Sequence, residues 1–169
     1  MKNLTKIIIA FVFTVAFASN SKAQFKANIG VDLGLALENG MGLIYGPAAG
    51  IEYGIEDNMG ITFQTGYDII SVDAKGASAS IIPLQPGFKY YFTDNESGLY
   101  AHAQLGFTVY RTKVEFFGIS SSASKTYLSY SAGGGYLVNE NIDIGARFNI
   151  VSSNGGSLEY IAVRAAYNF

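Results

Sequence analysis

Three acids and three bases carry the chemistry this sequence offers. Asp32, Glu52 and Asp68 stand against Lys89, Arg147 and Arg164, and most have polar or small residues two positions away and apolar ones beside them. Gln64, Gln104 and the single histidine, His102, fall in the same phase. An alternating chain turns such residues to one face. Charges withdrawn from water must be paired to be tolerated. The pattern therefore predicts a network of ion pairs, with Asp32, Glu52 and Asp68 as partners of Arg147, Arg164 and Lys89. Inside a wide cylinder such a network would select ions. Inside a narrow one it would be a plug that holds the cylinder shut.

Catalytic readings are weaker. A triad needs a base that touches Ser, Thr or Cys and is oriented by a carboxylate. His102 has no recognisable serine motif near it, so it reads as a hydrogen-bonded interior histidine. One histidine and no cysteine do not make a metal site, and no calcium-loop spacing is present. "AGGGY" at Ala132–Tyr136 lacks the Lys-Ser/Thr and the following helix of a phosphate loop, and reads as strand. The expectation is no enzyme, no cofactor and no metal.

The elements that must hold these residues are strands. In "FKANIGVDLGLAL" the odd positions from Phe25 to Leu37 are apolar, and the even ones are Lys26, Asn28, Gly30, Asp32, Gly34 and Ala36. The pattern returns around Ala48–Glu56, Gly60–Ser71, Ile81–Phe92, Leu99–Lys113, Thr126–Val138 and Ile142–Val151, and in the C-terminal segment. That predicts eight strands. Tight Asn/Asp-rich turns near Asp57, at Thr93–Gly98 and at Asn139–Asn141 alternate with four longer Gly/Ser-rich connectors, after Glu38, Val72, Val114 and Ser152. The expected fold is all-β: an eight-stranded, antiparallel, up-and-down transmembrane barrel. Eight strands leave room for side chains but not for an aqueous channel, which favours the plug. Pro83 and Pro86 interrupt the fourth strand, so a bulge or a late start is expected there, with regular pairing from about Gly87.

Two features set the apolar face outward. Most strand glycines lie on the polar face, where a narrow interior would need them as space for long neighbours. The apolar face also carries aromatics in two groups. Phe25, Tyr53, Phe63, Tyr90, Phe92, Tyr136, Tyr167 and Phe169 lie toward the tight turns; Tyr67, Phe107, Tyr130 and Phe148 lie toward the longer connectors. Aliphatic residues fill the band between, as in a bilayer-spanning barrel.

Residues 1–23 read as a secretory signal: Lys2 and Lys6, the apolar run Ile7–Ala18, then "SKA" before Gln24. The mature segment would be residues 24–169, one barrel domain. Its 8 bases face 13 acids, a net charge of -5 that argues against nucleic acid.

Taken together, "SKAQ", "IPLQPGFKYYF", "LYAHAQLGFTVY", "YSAGGGYLV", "NIDIGARFN" and "VRAAYNF" resemble the small outer-membrane β-barrel proteins, of the porin-like group common in Bacteroidota-type bacteria. The resemblance covers nearly all of residues 24–169. It implies that Val163, Ala165, Tyr167 and Phe169 form a recognition signal for the barrel-assembly machinery. The final strand could offer such a signal by β-augmentation. The implied partners are outer-membrane lipid and, during biogenesis, that machinery, with the barrel expected to be a monomer. The expected role is structural or surface-interactive. A narrow porin for small solutes or ions is the second reading. A lipid-modifying outer-membrane enzyme and a soluble periplasmic lipid-binding barrel are more distant ones.

Overall fold

Nine antiparallel strands are present in the computed structural model, which describes residues 25–169 apart from 73–76, 94–97, 117–118 and 154. The expected signal at residues 1–23 lies outside the described residues. The strands are β1 (Phe25–Ala36), β2 (Met41–Glu56), β3 (Met59–Gly66), β4 (Asp68–Val72), β5 (Ala77–Tyr91), β6 (Gly98–Phe116), β7 (Ile119–Leu137), β8 (Ile142–Ser153) and β9 (Gly156–Asn168). Consecutive strands pair, except that β3 and β4 both lie between β2 and β5, and β1 pairs with both β2 and β9, so the sheet closes.

The ring has eight positions, because β3 and β4 are one strand interrupted at Tyr67. Ala48 opposes Gly66 and Tyr45 opposes Ile69, which is the same register on either side of the break. The Tyr67 N–H still donates to the Pro47 carbonyl at 3.0 Å.

Closure is staggered. Partners of Lys26 run Glu52, Thr62, Gly87, Gln104, Ser131, Asn149 and Tyr160, then return to β1 at Ala36, ten residues beyond the start. With ordinary strand rise and spacing, that offset tilts eight strands by about 40° and gives a backbone radius of about 8 Å.

Two expectations need correction. The prolines cause neither a bulge nor a late start: β5 begins at Ala77, and its register against β6 is the same at Leu84↔Phe107 and at Gly87↔Gln104. The ladder omits only Gln85 and Pro86 on that side. Gly106 stands opposite, where a Cβ would lie 3.0 Å from the Gln85 Cα, so the missing side chain lets the two backbones draw together. Elsewhere, the four connectors expected to be longer are mostly strand. β1 and β2 are joined through residues 37–40, and β6 and β7 through 117–118. Length at this end is carried by paired strands instead. β6 and β7 run 19 residues each and pair from Gly98↔Leu137 to Phe116↔Ile119.

The apolar faces point outward. Val31, Leu105 and Phe107 are each more than half exposed, as are Phe92 and Leu99. Aromatics of both groups are exposed as well, among them Tyr53, Tyr136 and Tyr167 toward the turn end and Tyr67, Tyr130 and Phe148 toward the other. This inverts the burial of a soluble barrel and is the surface a bilayer requires.

Candidate functional site

The lumen is filled in layers, each positioned by strand parity. Nearest the tight turns, the side chains of Lys89 from β5, Glu52 from β2 and Asp143 from β8 converge. Lys89 Nζ lies 2.7 Å from Asp143 Oδ2 and 3.4 Å from Glu52 Oε2. The ammonium also sits over the Tyr100 ring, 3.9 Å from its centroid. Tyr100 donates its hydroxyl to Asp143, and Tyr91 donates to Glu52 at 2.8 Å. Tyr91, Tyr100 and Leu137 pack together as an apolar cap around this cluster. Each carboxylate thus has a cation and a phenol, which compensates its loss of water.

The next layer is centred on Asp32. Arg164 grips it with two bonds, Nε to Oδ1 at 2.7 Å and Nη2 to Oδ2 at 2.8 Å. Arg147 adds Nη2 to Oδ2 at 2.6 Å and reaches Gln64 Oε1 with Nη1 at 2.9 Å. Gln104 donates to the same Gln64 oxygen at 3.1 Å and accepts from Ser131 at 3.0 Å. Gln64 and Gln104 thereby tie the Arg147 end of the charged group into the neutral wall. Arg147 Nε and Arg164 Nη1 have no hydrogen-bond partner. A cavity of about 30 Å³ adjoins Arg147, Arg164, Gln64, Gln104 and His102, a volume on the scale of one or two waters.

His102 accepts or donates one bond, to the Thr62 hydroxyl at 2.8 Å. That threonine was not read from sequence. Among the described residues His102 has no carboxylate partner, so a base and a hydroxyl are present without the group that would orient them. No group of three or more His, Cys, Asp or Glu suited to a metal occurs among the described residues.

Asp68 stands apart from the other predicted residues. It is 1% exposed, and its Oδ1 has no hydrogen-bond partner. Its strand neighbour across the ladder is Ile81. Around that level the lumen is apolar. Ile44, Ile70, Ala79, Ile81, Val151 and Leu158 form one buried cluster with Tyr160 and Ala162. This layer was not foreseen. It occupies inward positions of strand ends that the sequence presents as connectors, as at Ile44, or as continuations of a polar face, as at Val151 beyond Asn149.

Glycine on the polar face does serve long neighbours in places. A Cβ on Gly145 would lie 2.6 Å from the Tyr100 hydroxyl, and one on Gly87 would lie 2.8 Å from Gln104 Cγ. At Gly133 the obstruction is backbone, 2.6 Å from the Arg147 Cα, so there glycine serves strand packing.

The four C-terminal residues singled out above all face outward, Val163, Ala165 and Tyr167 on β9 and Phe169 just beyond its end. Val163 and Tyr167 are each 49% exposed, and Phe169 packs edge-on against Tyr167 with centroids 5.2 Å apart. The Phe169 N–H donates to the Ala27 carbonyl at 2.8 Å, alongside the β1–β9 ladder that seals the ring.

A closed eight-position ring, with its apolar face outward and its charges inward, is the form of an outer-membrane barrel. Residues 7–169 match the family described as outer membrane protein beta-barrel domain. The chain belongs to this family. Solved barrels of similar fold include Ail, the attachment invasion locus protein of Yersinia pestis. It is 19% identical, with a TM-score of 0.67 over 86% of this chain and 97% of that one. The N-terminal barrel of Pseudomonas aeruginosa OprF is 14% identical, with a TM-score of 0.61 over 85% and 97%. Neisserial surface protein A is 18% identical, with a TM-score of 0.57 over 86% and 96%. No curated protein matches the sequence. Membership places this barrel in the outer membrane, and the solved neighbours share its architecture.

Proposed function

We propose that this family member is a closed, non-enzymatic outer-membrane barrel with a structural or surface-interaction role. The observation that carries this reading is the layered lumen: two ion-paired clusters and an apolar layer fill an interior of about 8 Å backbone radius. Residues 1–23 would direct export and be removed, leaving a single barrel domain, residues 24–169. Val163, Ala165, Tyr167 and Phe169 would present the assembly signal, and the barrel would act as a monomer. The kinship with the porin-like, Bacteroidota-type group rests on the sequence resemblance described above. The attachment role named for Ail belongs to Ail; for this chain, the paired β6/β7 extension is the part best placed to meet a partner.

Planar-bilayer recording of the purified barrel tests the reading. No steady conductance is expected. A sustained ohmic current would support the narrow porin instead and overturn the closed lumen. Orientation has its own test, because the chain contains no cysteine. In intact cells, a membrane-impermeant maleimide should label Gly155→Cys and not Glu140→Cys. Labelling of Glu140→Cys alone would invert the assignment of the two ends.

A further inference from the structure

Two concavities on the outer surface meet at Tyr67. The upper one, of about 570 Å³, includes Tyr67, Ile69, Ser78, Ser80, Arg111 and Lys113. The lower one, of about 270 Å³, includes Tyr67, Thr65, Gly66, Ala49, Pro47 and Ile29. We propose that together they bind one lipid of the outer leaflet whose phosphate headgroup carries a net negative charge, with that headgroup on Arg111 and Lys113 and an acyl chain in the lower groove. The proposal rests on the orientation given above, with the β6/β7 extension outside the cell.

The upper part has the chemistry of a phosphate site. Arg111 and Lys113 lie two apart on β6, so they share a face, with Cα atoms about 7 Å apart. Each is flanked by hydroxyls on both neighbouring strands. Arg111 opposes Ser80 and Ser124, and Lys113 opposes Ser78 and Ser122. Both cations are exposed. A guanidinium matches a phosphate's oxygens with a planar fork, an ammonium adds a point charge, and hydroxyls supply further donors.

The distribution of basic residues points to the same place. Among the described residues, Lys89, Arg147 and Arg164 lie in the lumen, and Lys26 lies near the turn end. The other three described bases, Arg111, Lys113 and Lys125, are all on the β6/β7 hairpin. Glu38 and Glu159 lie at the β1/β9 side of the rim, away from this hairpin, whose own described acid is Glu115, two residues beyond Lys113 on β6.

The lower part chooses a lipid over a soluble anion. It is a dent in the hydrocarbon-facing surface, made where Ala49 and Thr65 replace the larger outward residues found elsewhere. Ala49 opposes Thr65 directly. Tyr67 belongs to the aromatic group toward the loop end, so it marks the interface: the cations stand above it and the groove descends below it. A water-soluble phosphate could use the upper part alone. Only an amphiphile uses both.

The test counts lipid held by the folded barrel. The purified protein is placed in phosphatidylcholine vesicles doped with acyl-chain spin-labelled phosphatidylglycerol or spin-labelled phosphatidylcholine, and the motionally restricted fraction is measured. The wild type is expected to prefer the phosphatidylglycerol probe by roughly fivefold or more, the scale set by a single base near an anionic lipid surface. R111Q/K113Q should reduce the preference toward unity, and R111K/K113R should keep it. Ala49→Phe, which fills the groove without changing charge, should lose most of it. The heat-shifted gel band reports folding of each variant.

An unchanged preference in R111Q/K113Q would overturn the headgroup assignment. An unchanged preference in Ala49→Phe would overturn the lipid, leaving a surface charge effect. Displacement by inorganic phosphate, with Ala49→Phe inert, would show a soluble-anion site instead. Vesicle measurements are read whatever the orientation in cells, so failure here and failure of the maleimide test are distinct results.

Discussion

At the turn end of the lumen, Lys89 is held between Glu52 and Asp143, and Arg147 and Arg164 close on Asp32. At the loop end, Ile44, Ile70, Ile81, Val151 and Leu158 pack with no ion pair among them. Both halves fill the same cylinder, by unlike means. The charged half depends on geometry: every carboxylate must meet its cation, and removing one partner strands the other. The apolar half depends on volume, and a lost methyl leaves a cavity but no stranded charge. Asp68 sits in the second environment with the chemistry of the first, which makes it the informative exception. A narrow membrane barrel can thus be filled by either route, with very different tolerance of substitution.

The sharpest way to break this contrast is Asp32→Ala. It leaves two buried guanidiniums facing each other, and a loss of about 3–5 kcal/mol is expected in urea unfolding of the lipid-reconstituted barrel. A second removal, Asp32→Ala with Arg164→Met, should cost less than the two single losses added together; simple additivity would mean the pair is not coupled. Lys89→Met follows, at about 3 kcal/mol, because Glu52 and Asp143 lose their shared cation while keeping their tyrosines. In the apolar half, Ile81→Ala should cost about 2–3 kcal/mol as a cavity term, with no change in pH dependence. Asp68→Asn is the smallest and differs in sign: a carboxylate with an unpartnered buried oxygen is replaced by a neutral isostere, and stability should hold or rise by about 1 kcal/mol. A large loss at Asp68 would show that it is paired in a way the static geometry does not reveal.

How much of this was legible in the sequence follows from what alternation encodes. Parity assigns a residue to a face, so Asp32, Glu52, Lys89, Arg147 and Arg164 could be placed inward from spacing alone. Parity is silent about height. Which acid meets which base depends on the ten-residue stagger, and that is why spacing gives Asp143 inward parity without joining it to Lys89, and why it offers Asp68 as a partner that it is not. Tyr91 and Tyr100 have inward parity too, yet aromatic residues in such a pattern suggest the bilayer interface. Ile44 lay in a stretch whose glycines suggested a connector. Pro83 and Pro86 misled for another reason: a missing N–H weakens a ladder only where that hydrogen bond would be made, and a glycine on the facing strand can absorb the difference.

The closing offset also says something about how such a protein can change over generations. Strand number and stagger together set the radius, so no series of single substitutions inside the lumen widens the cylinder; trimming side chains leaves the same backbone ring with fewer contacts. A wider ring needs another hairpin, gained in one step with its stagger intact. Above the bilayer no such quantum applies. The paired arms of β6 and β7 can lengthen, shorten or change surface chemistry a residue at a time while the ring beneath stays closed. Gradual divergence is therefore open to the exterior, and the interior can change its calibre only by a jump.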